Sequence, residues 1–154
     1  MKRLPINTLK AFMEEVFTHI GVPAGDARIC SDILIASDLH GIESHGIGRL
    51  KMYYDRIKAG IQNPVTKIGI LRDKAATAVW DGNHGMGHVV AFRAMETALA
   101  KARQFGLGAV AVRDSTHFGI CGYYAQMACE ENMLGLIFTN ARPSVCPTHG
   151  IQPL

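Results

Sequence analysis

The 154-residue chain has few cysteines and no long run of apolar residues. Its four cysteines show no CxxC spacing and are too sparse for a disulfide framework, so we expect reduced thiols and a cytoplasmic location. No apolar stretch approaches the roughly 18 residues that a membrane-spanning helix needs. The basic start at residues 1–3 also lacks the apolar segment of an export signal. The sequence therefore predicts no membrane partner.

A strong excess of one charge is also absent. The formal net charge is only +3 at pH 7, which is too small to indicate a nucleic-acid surface but suits a protein that binds carboxylates and phosphates. Apolar residues make up 48% of the chain, and charged residues 19%, without repeats or low-complexity segments. This composition is typical of a folded chain, and its length allows one compact domain or a small helical unit with part of a second.

Apolar residues recur at helical spacing through the first sixty residues. The pattern predicts a first helix after an Asn7 cap, a second after Pro23 and a third after a Ser44 cap. Each of these helices is expected to end at a glycine, namely Gly21, Gly41 and Gly60. Residues 1–62 are therefore predicted to form a helical unit.

Strand and helix patterns alternate in the rest of the chain. Strands are predicted at 67–71, 77–80, 108–112 and 134–138, and helices at 86–105 and 123–132. The alternation predicts an α/β layered domain with a mixed sheet over residues 63–154. Because the last strand is followed only by a loop rich in proline and glycine, we expect this sheet to lack neighbouring strands.

The segment Ser-His-Gly-Ile-Gly-Arg at residues 44–49 combines a titratable imidazole with a permanent cation. On a helix His45 and Arg49 would share a face, so that one small anion could contact both side chains. The pair suits a 2-oxo acid, since a guanidinium can bind the carboxylate while a histidine exchanges a proton with the neighbouring oxygen. The alternative is a Ser44 cap, a first-turn histidine and a solvent-facing arginine. Tyr53, one turn further on, either lines this pocket or packs in the core.

A second candidate segment lies between a predicted strand and a predicted helix. Backbone amides of such a loop and a helix N-terminus can bind an anion, although a glycine-bearing turn with a polar cap is the simpler interpretation. The residues concerned are His117, Phe118, Gly119, Ile120, Cys121 and Gly122.

The glycines of residues 82–87 run GxxGxG instead of the GxGxxG of Rossmann dinucleotide sites, which favours a tight structural turn. His84 and His88 have the spacing of a metal-binding pair, but the glutamate of an HExxH motif is absent and no third ligand is evident. We therefore expect no metal site, and a metal-dependent hydrolase is a weaker alternative.

Together these segments resemble the type-2 malate/L-lactate dehydrogenase family. The resemblance rests on residues 38–50, 81–87 and 114–119 and on 138–140 followed by 145–147, in the family's order. It implies a non-Rossmann, sulfolactate-dehydrogenase-like fold, NAD or NADP as cofactor, a small 2-oxo, 2-hydroxy or imino carboxylate as substrate, and a homodimer. The resemblance implies in addition that the α/β domain is incomplete and that the chain is the N-terminal portion of a longer protein.

The resemblance also implies roles for single residues. His45 would be the acid that protonates the substrate oxygen, Ser44 would orient the imidazole, and Arg49 would bind the carboxylate. The 117–122 loop and Asn140 would contact the dinucleotide. A non-catalytic truncated or dimerisation fragment of such an enzyme is the alternative.

Overall fold

The computed structural model describes residues 4–140 and 150–151. Two 3₁₀ turns, Glu43–His45 and Ile47–Arg49, separate the second and third helices. Over the described residues, no helix is long and apolar enough to cross a membrane. The other elements, in chain order, are α1 (Ile6–His19), α2 (Ala24–Leu39), α3 (Leu50–Lys58), β1 (Gly69–Asp73), β2 (Thr77–Asp81), α4 (Gly87–Phe105), β3 (Ala109–Arg113) and α5 (Cys121–Glu130).

The three strands form one mixed sheet, as predicted, and their order in it is β1-β2-β3. β1 pairs with β2 antiparallel, and β2 pairs with β3 parallel, so that Trp80 lies between Ile70 and Val112. The parallel pair is joined by α4, which packs its Ala94 against Ala78 and Trp80 of the central strand. This crossover places the chain that leaves β3 close to the start of α4.

The largest apolar core joins the helices to the start of α4. Phe17 of α1, Leu34 of α2 and Tyr53 of α3 pack in one cluster with Met86 and Val89. An ion pair between Asp26 and Arg93 also joins α2 to α4, and burial raises the pKa of the Asp26 carboxyl against the opposing effect of Arg93. The helices and the α/β segment therefore share their main core.

Several element predictions need correction. Asn7 does not cap the first helix, because α1 begins at Ile6 after Pro5 without a side-chain cap. The strand predicted at 67–71 begins and ends two residues later, and the strand predicted at 77–80 begins as expected and ends one residue later. β3 begins and ends one residue later than the predicted 108–112, and its residues alternate between exposed and half-buried.

The predicted strand at 134–138 is wrong. Residues 133–140 take part in none of the described strand pairings, although residues 133–138 alternate between half-buried and exposed. A strand needs a neighbour for its backbone hydrogen bonds, and an apolar pattern alone does not supply one. The apolar side chains on the outer side are 85%, 68% and 86% exposed at Leu134, Leu136 and Phe138. The related motif at 145–147 lies outside the described residues.

The turn at residues 82–87 is tight and closely packed, which confirms the structural interpretation of its glycines. Asn83 and His84 both have positive φ, at 47° and 52°. A Cβ on Gly87 would lie 2.3 Å from the carbonyl oxygen of Thr116 and 2.4 Å from that of His117. Because these neighbours are backbone atoms, only glycine allows α4 to begin here against the chain that leaves β3.

Candidate active site

The segment that carries His45 and Arg49 is not the helix that its spacing predicted. It consists of two 3₁₀ turns that are interrupted at Gly46, and Ser44 lies within the first turn without acting as a side-chain cap. The two residues therefore do not share a helical face, and their relation depends on how this loop is held.

The C-terminal end of α2 holds the loop. The Asp38 carboxylate accepts a hydrogen bond from the Ile47 amide at 2.8 Å, and the Ser37 hydroxyl donates to the Ile42 carbonyl at 3.1 Å. Gly46 is buried directly against Asp38, because a Cβ there would fall 1.7 Å from the carboxylate Oδ1. Side chains of a neighbouring helix thus stabilise a bend that local helix preference would oppose.

Within the loop, Ser44 contacts both other members of the motif. Its hydroxyl lies 2.9 Å from His45 Nδ1, and its carbonyl accepts a hydrogen bond from Arg49 Nε at 2.6 Å. Arg49 is half-buried, and its Nη1 contacts the Met52 sulfur at 3.8 Å. None of the described carboxylates lies within ion-pair distance of this guanidinium. The outer edge of Arg49 is therefore able to bind an anion from solution.

The structure brings His117 to the same place from a different part of the chain. Its ring stacks on that of His45 with centroids 5.4 Å apart and planes inclined by 22°. Its Nδ1 lies 2.7 Å from the hydroxyl of Tyr53 and 3.3 Å from the Gly119 amide nitrogen. Tyr53 is fully buried, so it both packs in the core and contacts the site. The two candidate segments of the sequence thus meet at a pair of imidazoles.

The loop from residue 117 to 122 is held on both sides. The Gly87 amide donates to the Thr116 hydroxyl at 3.0 Å, and Tyr124 donates its hydroxyl hydrogen to the Phe118 carbonyl. Gly119 has φ +83° and packs so closely that a Cβ would lie 2.8 Å from Ile33. The helix α5 then begins without a side-chain cap. Its first amides are thus not satisfied by a capping side chain.

Asn140 is the predicted site residue that the structure does not bring to this cluster. It is exposed, and no described hydrogen bond joins its side chain to the loop or to the two histidines.

His88 is a member of the cluster that sequence reasoning did not assign to it. The side chain is fully buried, and neither ring nitrogen has a hydrogen-bond partner among the described residues. Its ring meets that of Tyr53 edge-on, with centroids 4.7 Å apart. The spacing from His84 suggested only a metal pair, and no group of three or more potential ligands occurs in the part of the chain that the structure describes. Nothing in the local sequence indicates the tertiary contact with Tyr53.

Burial and positive neighbours keep the imidazoles neutral. Burial lowers the pKa of His117 to about 4, helped by His45, Arg49 and Arg56. Burial and then His117 lower the pKa of His88 to about 3. The pKa of His45 is also lowered, first by burial and then by Arg49. The site therefore combines three neutral imidazoles with one cation at neutral pH, an arrangement suited to bind an anion and to exchange a proton next to it.

Comparison with known proteins identifies relatives over nearly the whole chain. Residues 4–154 match the family model described as malate/L-lactate dehydrogenase. A malate dehydrogenase of Pyrococcus abyssi is 49% identical over 150 residues, which are 97% of this chain and 41% of the relative. The chain thus spans about two fifths of that relative's length.

Solved structures agree with the fold. The structure of malate dehydrogenase from Pyrococcus horikoshii OT3 matches with a TM-score of 0.91 and 46% identity, over 99% of this chain and 44% of that one. Sulfolactate dehydrogenase from Methanocaldococcus jannaschii matches with a TM-score of 0.82 and 43% identity, over 84% of this chain and 38% of that one. The expected sulfolactate-dehydrogenase-like fold is confirmed.

Acid should destabilise the protein between about pH 6.5 and pH 4. The folded pKa values are lowered to about 4 at His117 and about 3 at His88, so in this range the unfolded chain binds protons at these histidines while the folded chain does not. The free energy of unfolding therefore decreases as the pH decreases. Each such histidine contributes up to about 1.4 kcal/mol per pH unit. His88→Leu should make this dependence shallower, whereas His19→Gln, at an exposed position, should not. Chemical denaturation from pH 4.5 to 7 measures the slopes, and equal slopes in all three proteins would contradict the assignment.

Proposed function

Because the chain belongs to the malate/L-lactate dehydrogenase family, we propose that it supplies the acid–base and carboxylate-binding residues of a dehydrogenase. The reaction interconverts a small 2-oxo acid and the corresponding 2-hydroxy acid with a nicotinamide cofactor, NAD or NADP. Relatives named for malate and for sulfolactate support this substrate class, since both compounds are 2-hydroxy carboxylates.

The position of Arg49 carries the proposal. Its Nε is anchored to the Ser44 carbonyl, and the described chain supplies no carboxylate to neutralise its charge. The Nη edge is therefore left for the substrate, where a bidentate contact fixes the carboxylate and hence the neighbouring carbon. The cation lies in the same short loop as the half-buried His45, which supports a binding mode in which the carbonyl oxygen of the 2-oxo acid faces the imidazole.

His45 is the proton donor in this proposal. When a hydride reaches the carbonyl carbon, the oxygen gains a proton from His45, and in the reverse direction the neutral imidazole removes it. Burial and Arg49 lower the pKa of His45 in the free protein. A bound carboxylate neutralises Arg49 and so favours the protonated imidazole that reduction requires. Ser44 orients the ring through its contact with Nδ1.

The loop of residues 117–122 fits a dinucleotide. Gly119 turns the chain at a positive φ, and the uncapped amides at the start of α5 can bind a phosphate or a carboxamide oxygen. The nicotinamide supplies the hydride when it is bound. His117, Phe118, Gly119, Ile120, Cys121, Gly122 and Asn140 are the residues proposed to hold the cofactor.

Three expectations about the whole protein stay predictions, namely a homodimer, a cytoplasmic location and a mechanism without metal. The exposed apolar side chains at Leu134, Leu136 and Phe138 supply surface for association. Light scattering on the purified chain measures the oligomeric state, and a strict monomer would contradict the dimer.

In an active, complete form of the enzyme, His45→Gln should lower kcat for 2-oxo acid reduction by roughly 100-fold or more, because the reaction loses its general acid. His40→Gln changes an exposed histidine five residues earlier and should leave kcat unchanged. Steady-state kinetics with NADH and NADPH over a panel of 2-oxo acids measure both effects. A folded His45→Gln protein with nearly normal kcat would exclude His45 as the acid.

Arg49→Lys should weaken binding of oxamate, an unreactive analogue of a 2-oxo acid, by about 10-fold or more. The charge is retained, but the two-pronged contact with the carboxylate is lost. Lys51→Gln is the matched control, since it removes a positive charge two residues away. The Lys51 side chain is 81% exposed and paired with Asp55. Calorimetry in the presence of NADH or NADPH gives the Kd values. Equal affinities for wild type and Arg49→Lys would place Arg49 outside the site.

Hydrogen exchange tests the cofactor loop. NADH or NADPH should slow exchange of the amides in residues 117–122, because a bound dinucleotide accepts hydrogen bonds from them. The β1–β2 turn at residues 74–76 serves as an internal control and should not change. Saturated binding without protection of the loop would assign these residues a purely structural role.

A further inference from the structure

His117 Nδ1 has two partners, and one of them determines where the imidazole carries its proton. The Gly119 backbone amide points its N–H at this nitrogen from 3.3 Å. A backbone amide can only donate, so Nδ1 must offer a lone pair. The Tyr53 hydroxyl, 2.7 Å from the same nitrogen, must then donate as well. The neutral ring consequently carries its proton on Nε2.

The environment of Tyr53 leaves its hydroxyl only the role of a hydrogen-bond donor to His117. Its side chain is fully buried, with its ring 6.3 Å from that of Phe17 and 4.7 Å from that of His88, centroid to centroid. Burial also raises its pKa, so the phenol keeps its hydrogen. Among the described residues the only hydrogen-bond partner of this hydroxyl is His117. If Nδ1 were protonated, the phenol hydrogen would be left buried without an acceptor, at the cost of an unsatisfied polar group.

The opposite side of the His117 ring faces away from this anchor. No described residue forms a hydrogen bond with Nε2, and the side chain is half-buried beside His45. The ionisable groups around it are His45 and Arg49 in the 3₁₀ loop, Arg56 and Tyr53 on α3, and His88 on α4. None of these is an acid that would favour an imidazolium.

We propose that Tyr53 is a positioning residue, which holds His117 as the Nε2–H tautomer and directs that N–H toward an oxygen of the bound 2-oxo acid beside His45. This inference rests on the proposed function. The two stacked imidazoles then have different roles. His45 transfers the proton, while His117 donates a hydrogen bond and keeps its own proton. A neutral donor of fixed tautomer orients the substrate oxygen without competing for the transferred proton.

The tautomer can be measured on the 154-residue chain without cofactor or substrate. Nitrogen-15 NMR of histidine rings distinguishes a protonated from an unprotonated ring nitrogen. Wild-type His117 should show a protonated Nε2 and an unprotonated Nδ1 from pH 5 to pH 8. A wild-type ring protonated at Nδ1 would overturn the proposal, whether or not any variant folds.

Tyr53→Phe keeps the packed ring and removes only the hydroxyl. The variant should raise the pKa of His117 by roughly 0.5 to 1 unit, as expected for the loss of one hydrogen bond to the neutral ring. It should also yield a mixture of tautomers. Tyr54→Phe is the matched control, because Tyr54 is the neighbouring, half-buried tyrosine without this contact, and it should leave His117 unchanged. An unaltered titration and tautomer in Tyr53→Phe would overturn the positioning role.

Oxamate binding tests whether the Nε2–H group of His117 donates a hydrogen bond to the ligand. Added to wild type with NADH or NADPH, it should shift the His117 Nε2–H resonance, and the shift should be smaller in Tyr53→Phe. Binding of oxamate that moves His45 signals but leaves Nε2–H unchanged would overturn the assignment of this donor to the ligand. Failure of oxamate to bind at all would contradict the proposed function, while the tautomer experiment would still decide the role of Tyr53.

Discussion

The backbone contact between the start of α4 and the chain that leaves β3 is the constraint on which the candidate site depends. Gly87 leaves no space for a side chain between α4 and the carbonyls of Thr116 and His117. The neighbouring Met86 and Val89 pack in the core that contains α1, α2 and α3. One short segment therefore fixes His117 to the helices on which the 3₁₀ loop is mounted. This connection brings His117 to His45, and the stacked rings form the contact between the two loops.

Regular periodicity made the long elements predictable. The apolar spacing of α2 and α4 extends over four or more turns, and both helices were located correctly to within about one or two residues at either end. The mixed sheet followed from the alternation of elements. The strand at 134–138 was not found, because an apolar pattern reports which residues avoid water but not which strand will pair with them.

Residue chemistry and the family resemblance selected Ser44, His45 and Arg49 as candidate site residues. Helical spacing, however, gave the wrong local structure for this segment. The reason is tertiary, since the Asp38 carboxylate and the buried Gly46 impose a bend that no local propensity contains. Tyr53 and His88 show the same limit. Both lie on apolar helical faces, and only the fold reveals which neighbours their polar atoms meet.

The bond between Tyr53 and His117 spans 64 positions in the chain, and this separation has a consequence for biosynthesis. At ordinary rates of translation of 5–20 residues per second, His117 follows Tyr53 out of the ribosome after about 3 to 13 s. Helices form within microseconds, so α1, α2 and α3 have time to collapse long before their partner exists. During this interval the Tyr53 hydroxyl has no His117 acceptor. The apolar surface of the helices that later packs against Met86 is also uncovered. The core of the helices therefore stays incompletely covered until the segment between α3 and α5 has been synthesised.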